Sequence, residues 1–278
     1  MTGGKQHELP AAAPVPDDYT SSGSGCVELP EAPYRFFAQS GAQEYYQLSR
    51  EITSYVHDEG IRSVVLVDKA ARPAYIGLAG CWRALYPDED RPLINFMNPL
   101  GLQPADEVPL MKRVRGAAER VLTGMGDLPI AARTADDIAE EFRTTFAQLL
   151  TRKDKPLLVL DTCLHTGESV LPILSYLLGN GFADVRVGVV GYTPNNRPPV
   201  LVPDIVFRPA GPVEDCYPFG FRERMVAKTF DRVTSVQSNR TDREAGHALR
   251  AEAQKIIAEG LRRSGYVAMI TSPPQHGG

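Results

Sequence analysis

Short apolar runs and longer amphipathic stretches alternate through the middle of the chain. Each run is rich in Val, Ile and Leu and is too short for a stable helix, which is typical of a strand buried on both faces. These strands are predicted at residues 63–67, 93–97, 157–160 and 185–190, with a further short strand around 205–207. Apolar positions three and four residues apart predict helices over about 42–58, 73–86, 134–150 and 168–178. This alternation predicts an α/β domain in which helices flank a parallel sheet.

Composition changes along the chain and sets the predicted limits of the domain. Residues 1–30 are rich in Ala, Pro, Ser and Gly and hold few large apolar side chains, which favours a disordered arm. Residues 31–221 carry the strand pattern and form the predicted domain. Residues 222–265 are rich in Arg, Glu and Ala and predict a helical extension packed on that domain, followed by a tail at 266–278. The stretch 98–125 shows no strand pattern and predicts a partly helical surface insertion.

The bulk chemistry of the chain points to a small-molecule ligand. The chain has 278 residues, is 43% hydrophobic and carries a net charge of −4, so nucleic-acid binding is not expected. No apolar run approaches the ~20 residues of a membrane-spanning helix, and the first residues lack a secretory pattern, so we expect a cytoplasmic protein away from membranes. The four cysteines lie far apart and the histidines show no ligand spacing, which argues against a zinc cluster.

The segment 157–169 is the stretch most informative about chemistry. A buried strand leads to Asp161, and a turn containing Thr166, Gly167 and Ser169 then leads into a helix. Ligands of open α/β sheets bind beyond the carboxyl ends of the strands, and the N–H groups at a helix N-terminus favour phosphate. A core strand followed by an ordinary turn is the structural alternative. The order of strand, acid and TGxS favours binding of a phosphorylated ligand.

This segment resembles the hallmark of the type I phosphoribosyltransferase family, which has four apolar residues, two acids, a short variable stretch and TGxT or TGxS. The resemblance implies a phosphoribosyltransferase-like fold and a site for phosphoribosyl pyrophosphate. Asp161 would hold ribose hydroxyls, and residues 162–169 would line the ribose and phosphate. The implied ribose and phosphate ligands are Thr162, Cys163, His165, Thr166, Gly167, Glu168 and Ser169. The sequence departs from the family at Thr162, where a second acid is usual, so either sugar recognition has changed or the site only binds.

Three other segments acquire candidate roles from the same resemblance. The loop after the first strand would bind pyrophosphate through Lys69, Ala70, Ala71 and Arg72, with Lys69 and Arg72 stabilising the leaving group. The insertion could close over pyrophosphate through Lys112, Arg113 and Arg115, although a solvated basic surface explains this cluster equally well. A base could stack on Tyr217 or Phe219, and core packing is at least as good an explanation for either ring.

The implied reaction is phosphoribosyl transfer from phosphoribosyl pyrophosphate to a nitrogenous base, with release of pyrophosphate. Mg²⁺ would enter with the substrate and would have no direct protein ligand, with Asp161 at most an indirect one. The alternative is a non-catalytic regulator of the same fold that binds a nucleotide or phosphoribosyl pyrophosphate. A methyltransferase is disfavoured because Gly167 is the lone glycine of the turn, and a P-loop ATPase because no GxxxxGK[ST] occurs. A homodimer is compatible with such a domain.

Overall fold

The computed structural model describes residues 28–29, 34–67, 71–104, 133–164, 166–192, 200–207, 233–234 and 240–266. Within these residues, five parallel strands form one sheet in the order β2-β1-β3-β4-β5. The strands are β1 (Ser63–Val67), β2 (Leu93–Met97), β3 (Leu157–Leu164), β4 (Val185–Tyr192) and β5 (Ile205–Val206). Because helices lie on both faces of this sheet, the predicted parallel α/β architecture is confirmed.

Two helical layers cover the sheet. The helices are α1 (Gln39–Asp58), α2 (Arg72–Leu85), α3 (Ala135–Thr145), α4 (Ala147–Leu150), α5 (Leu171–Gly179) and α6 (Arg240–Arg263), with a 3-10 turn at Pro99–Leu102. Successive strand residues point to opposite faces, so Val64 and Leu66 join one core while Val65 and Val67 join the other. All five residues of β1 are buried, as expected for a central strand.

The first core lies between the sheet and the helices α1, α2 and α6. Leu249, Ile256 and Leu261 of α6 are buried in the same cluster as the sheet residues Leu158 and Leu160. The helices α1 and α2 approach closely because Gly77 has no side chain, and a Cβ there would collide with the Ser49 hydroxyl. The C-terminal helix is therefore part of the layer that covers the sheet.

The second core lies under α3, α4 and α5, which contribute Ile138, Leu149 and Ile173. Thr134 caps α3 by accepting a hydrogen bond from the Asp137 N–H, and the Asp137 carboxylate accepts one from the Thr134 N–H. The prediction of one continuous helix over 134–150 is wrong, because the structure has two helices there. The backbone leaves helical geometry at Phe146, with ψ near +27°, and this break separates α3 from the short α4.

A carboxylate of α6 holds the segment that precedes α1. Glu252 accepts hydrogen bonds from the backbone N–H groups of Arg35, Phe36 and Phe37 at 2.8–3.1 Å. Hydrogen bonds to an ionised acceptor are stronger than neutral ones. Of the predicted arm, the structure describes only residues 28–29, where Leu29 is buried and its N–H donates to the Gln43 side chain.

The observed elements differ from the predicted ones mainly at their ends. The helix α1 begins three residues earlier than predicted, and β4 runs two residues further, to Tyr192. No helix in the described ranges is long and apolar enough to cross a membrane. The predicted insertion from residue 105 onward and most of the predicted tail lie outside the described residues.

Candidate functional site

The strand order creates a switch point between β1 and β3. From β1 the chain crosses to β2 on one side, and it then returns to form β3 on the other side of β1. Open parallel sheets bind ligands in the crevice outside the carboxyl ends of the two strands at such a point. The segment that joins β1 to α2 and the segment that joins β3 to α5 both leave the sheet at this edge. These two segments carry the residues predicted to bind phosphate and pyrophosphate.

The strand β3 is longer than predicted and includes the first candidate residues. It continues past residue 160 to Leu164, and Asp161 and Cys163 pair with Val189 and Gly191 of β4. The prediction that the strand ends at residue 160 is therefore wrong. Asp161 stays in the strand because β4 supplies a backbone partner for it, which overrides its weak strand propensity.

Asp161 and Thr162 occupy different environments although they are adjacent. The Asp161 side chain is 4% exposed, and its Oδ1 accepts the Thr162 N–H at 2.7 Å. Thr162 is 0% exposed, and its hydroxyl oxygen has no hydrogen-bond partner among the described residues. The neutral residue at the second acid position is therefore sealed inside the protein. Cys163, the next residue, is partly exposed.

The turn before α5 depends on a glycine with a positive φ. Gly167 has φ of +88°, a conformation that residues with a Cβ rarely adopt. The Val170 N–H donates to the Gly167 carbonyl at 3.0 Å, and the Glu168 N–H lies 3.5 Å from the Thr166 hydroxyl. Glu168 and Ser169 are exposed. The turn therefore presents its tip to solvent at the carboxyl edge of the sheet.

The start of α5 differs from the prediction, and a second segment supports the turn. The helix begins at Leu171, three residues later than predicted, because residues 168–170 form turns. The Val200 N–H donates to the Thr166 carbonyl at 2.9 Å. A Cβ on Gly167 would lie 2.5 Å from Leu201 Cβ and 3.2 Å from its backbone nitrogen. The close packing of Leu201 thus also requires glycine at position 167.

The β1 side of the crevice is described from residue 71 onward. Ala71 is fully buried, and its N–H donates to the Val67 carbonyl at 3.3 Å. Arg72 is the first residue of α2, and its guanidinium carbon lies 5.4 Å from the ring centroid of Phe96 in β2. Phe96 pairs with Leu66 of β1, so this contact lies beside the switch point.

The structure brings some candidate residues together and leaves others undescribed. Two neighbouring strands carry the described candidates at their carboxyl ends. Ala71 and Arg72 follow β1, and β3 with its turn carries Asp161, Thr162, Cys163, Thr166, Gly167, Glu168 and Ser169. The candidates that lie outside the described residues are Lys69, Ala70, Lys112, Arg113, Arg115, His165, Tyr217 and Phe219. In the described ranges no group of three or more His, Cys, Asp or Glu side chains could hold a metal ion.

Sequence reasoning missed Phe96 and Leu201 at this site. Phe96 is the fourth residue of a predicted strand, where its ring is consistent with ordinary core packing. The signal that could have identified it is its position near the carboxyl end of a predicted strand, because open α/β sheets bind ligands at that end. No local pattern marks Leu201, because its contact with Gly167 joins two segments that are distant in sequence.

Comparison with known proteins gives matches among solved structures only. No protein-family model matches the chain, and no curated protein matches it significantly. A hypoxanthine-guanine phosphoribosyltransferase from Schistosoma mansoni in complex with IMP is 16% identical with a TM-score of 0.33, covering 60% of this chain and 64% of that enzyme. A hypoxanthine phosphoribosyltransferase from Staphylococcus aureus is 13% identical with a TM-score of 0.34, covering 60% and 73%. One from Trypanosoma cruzi is 12% identical with a TM-score of 0.34, covering 63% and 82%.

The chain spans less than two thirds of the Schistosoma mansoni enzyme. Similarities this weak carry no information about ligand or activity.

Proposed function

We propose that the chain transfers a phosphoribosyl group from phosphoribosyl pyrophosphate to a nitrogenous base. The observation that carries this proposal is the position of the Gly167 turn at the switch point, directly after a strand that bears Asp161. In the reaction the bond between the anomeric carbon and pyrophosphate breaks, and a bond from that carbon to the base nitrogen forms. The proton of the base nitrogen is lost to solvent. Positive charge develops on the sugar as pyrophosphate departs.

The residues have distinct roles in this proposal. The turn at 166–169 holds the 5-phosphate, because backbone N–H groups and the hydroxyls of Thr166 and Ser169 can donate to phosphate oxygens. Asp161 holds a ribose hydroxyl and stabilises the positive sugar, since a carboxylate in a nearly dry site interacts strongly with developing charge. Arg72 favours departure of pyrophosphate, with Lys69 as the predicted second cation.

Magnesium fits this site only through its ligand. Mg²⁺ requires several oxygen ligands and keeps part of its water shell, and Asp161 is the sole carboxylate of β3. Pyrophosphate oxygens would therefore supply most of the ligands that are not water, and the bound ion would neutralise charge on the leaving group. Asp161 is the residue of this segment that could interact with the ion, indirectly through a ribose hydroxyl.

A second candidate function is binding of phosphoribosyl pyrophosphate or a nucleotide without turnover. The buried and unpartnered hydroxyl of Thr162 favours it, because the site then offers one carboxylate where the family uses two. A regulator needs affinity for the ligand but no stabilisation of a cationic sugar. Both candidates require the same phosphate turn.

Calorimetric titration with magnesium and phosphoribosyl pyrophosphate tests the shared site. Asp161→Asn should weaken binding by at least about tenfold, because a hydrogen bond to an ionised group is lost. Asp154→Asn is the matched control, since Asp154 is exposed and precedes β3 at the opposite edge of the sheet. Absence of binding in the wild type, or equal affinity in both variants, would refute the proposed ribose site.

Titration with ribose 5-phosphate locates the phosphate subsite. Ser169→Ala should weaken binding several-fold, because one hydroxyl donor is lost. Ser175→Ala, on the exposed side of α5, should leave the affinity unchanged. Equal affinities for the two variants would exclude the Ser169 hydroxyl from the phosphate site.

Release of pyrophosphate separates the two candidate functions. The wild type is incubated with magnesium, phosphoribosyl pyrophosphate and each of a panel of purine, pyrimidine and pyridine bases. Release that requires one base identifies a transferase and its acceptor. Tight binding without release for any base favours the regulator. Neither outcome tests the predicted homodimer or the predicted cytoplasmic location, which stay predictions.

A further inference from the structure

An arginine and an aromatic ring meet beside the switch point. The guanidinium carbon of Arg72 lies 5.4 Å from the centroid of the Phe96 ring, within the range of a cation–π contact. Arg72 opens α2 directly after the β1 segment, and Phe96 lies in the neighbouring strand β2. The contact therefore joins the helix to the sheet at the carboxyl edge.

A second ring fixes the orientation of Phe96. The ring centroids of Tyr75 and Phe96 lie 5.6 Å apart, and their planes meet at 76°. This edge-to-face arrangement is favourable for aromatic pairs. Tyr75 lies three residues after Arg72, so both residues are on the same side of α2 and contact the same ring. The ring of Phe96 is thus held from two directions.

We propose that Phe96 is a positioning residue that orients the Arg72 guanidinium to bind an entering pyrophosphate group. A guanidinium has five N–H donors, so an aromatic ring in contact with the group leaves others that can donate to phosphate oxygens. The ring can therefore orient Arg72 without competing for the donors that bind an anion. This inference rests on the proposed function, because it assumes that the ligand carries pyrophosphate.

The physical benefit is preorganisation. An arginine side chain loses much rotamer freedom when it is fixed, and that loss opposes ligand binding. Contact with Phe96 restricts the side chain before the ligand arrives, so less of the loss falls on the binding step. The contact should thus affect ligands that reach Arg72 and leave other ligands unaffected.

A double-mutant cycle measures this coupling. Inorganic pyrophosphate with magnesium and ribose 5-phosphate are titrated separately into the wild type, Phe96→Leu, Arg72→Ala and the double variant. Phe96→Leu should weaken pyrophosphate binding by about two- to fivefold, the range expected for a partly exposed cation–π contact. It should not change ribose 5-phosphate affinity. In the Arg72→Ala background, Phe96→Leu should have no further effect.

Two more variants separate positioning from general structure. Phe96→Tyr keeps an aromatic face and should restore wild-type pyrophosphate affinity. Phe36→Leu is the matched control, because Arg35 lies 5.0 Å from the Phe36 ring in the segment held by α6, which is not at the carboxyl end of a strand. It should leave the affinities for both ligands unchanged.

The outcomes distinguish this inference from the proposed function. Wild-type binding of both ligands with unchanged pyrophosphate affinity in Phe96→Leu would overturn the role of Phe96 alone. Additive effects of Phe96→Leu and Arg72→Ala would also overturn it, because they would show that Phe96 acts independently of Arg72. If the wild type bound none of the three ligands (phosphoribosyl pyrophosphate, pyrophosphate and ribose 5-phosphate), both the role of Phe96 and the proposed function would be overturned.

Discussion

Replacing Thr162 with valine should stabilise the protein. Thr162 is fully buried in β3, and in the described part of the chain its hydroxyl oxygen has no hydrogen-bond partner. A buried polar group without a partner costs about 1–3 kcal/mol, and valine keeps the branched shape while removing that group. Valine also suits a strand better than most residues. We therefore expect Thr162→Val to raise the free energy of unfolding by about 1–2 kcal/mol.

Thr53→Val is a control of opposite sign. Thr53 is also fully buried, but its hydroxyl donates to the Ser49 carbonyl at 2.6 Å. Removing a satisfied hydroxyl should lower the free energy of unfolding by about 0.5–1.5 kcal/mol. The pair compares the same substitution at two buried positions that differ in hydrogen bonding.

Urea unfolding and thermal melting measure both variants. In a chain of this size a change of 1 kcal/mol moves the melting temperature by roughly 2–4 °C. If Thr162→Val lowered the free energy of unfolding by as much as Thr53→Val does, the reasoning would be refuted. Such a result would show that the Thr162 hydroxyl has a hydrogen-bond partner. The affinity for phosphoribosyl pyrophosphate should be unchanged in Thr162→Val, since a sealed hydroxyl does not reach the ligand. A large loss of affinity would instead place Thr162 among the sugar ligands.

Three further predictions concern the turn, a surface histidine and the N-terminal segment. Gly167→Ala should cost about 1–3 kcal/mol of stability and weaken ribose 5-phosphate binding because of its positive φ, whereas Gly179→Ala, with open space around it, should do neither. The pKa of His57 is raised above 6.5, chiefly by its hydrogen bond to Asp58. Its stabilising contribution is therefore complete below pH 6.5 and is lost as pH rises through the folded-state pKa, a fall that urea unfolding should detect in the wild type and not in His57→Gln. Glu252→Ala should lower the free energy of unfolding by about 1.5–3 kcal/mol and speed hydrogen exchange at residues 35–37.

The sequence predicts the strands well where burial is continuous. The run 63–67 is buried at every position, so its apolar pattern and its structure coincide. The end of β3 could not be predicted in the same way. Asp161 has a side chain that disfavours strands, and the pairing with β4 keeps it in the ladder. That pairing is a tertiary contact, which local sequence does not encode.

The candidate site shows the same division between local and distant information. Gly167 could be identified because a strand, a turn and a helix follow one another along the chain. Phe96 and Leu201 could not, because each contacts the site from a segment outside the motif. The break at Phe146 between α3 and α4 was also hidden, since the apolar spacing continues across it.

The geometry of β3 bears on how the missing second acid should be understood. Consecutive strand side chains point to opposite faces of a sheet, so Asp161 and Thr162 cannot act side by side while both remain in the strand. Asp161 is then the one carboxylate that β3 offers to a ligand, and its low exposure strengthens its interaction with a cationic sugar. A single carboxylate still supports binding through one ribose hydroxyl, but it provides less stabilisation for the departing state than two would. Asp161→Asn should therefore lower the rate of pyrophosphate release more than it lowers the affinity for phosphoribosyl pyrophosphate.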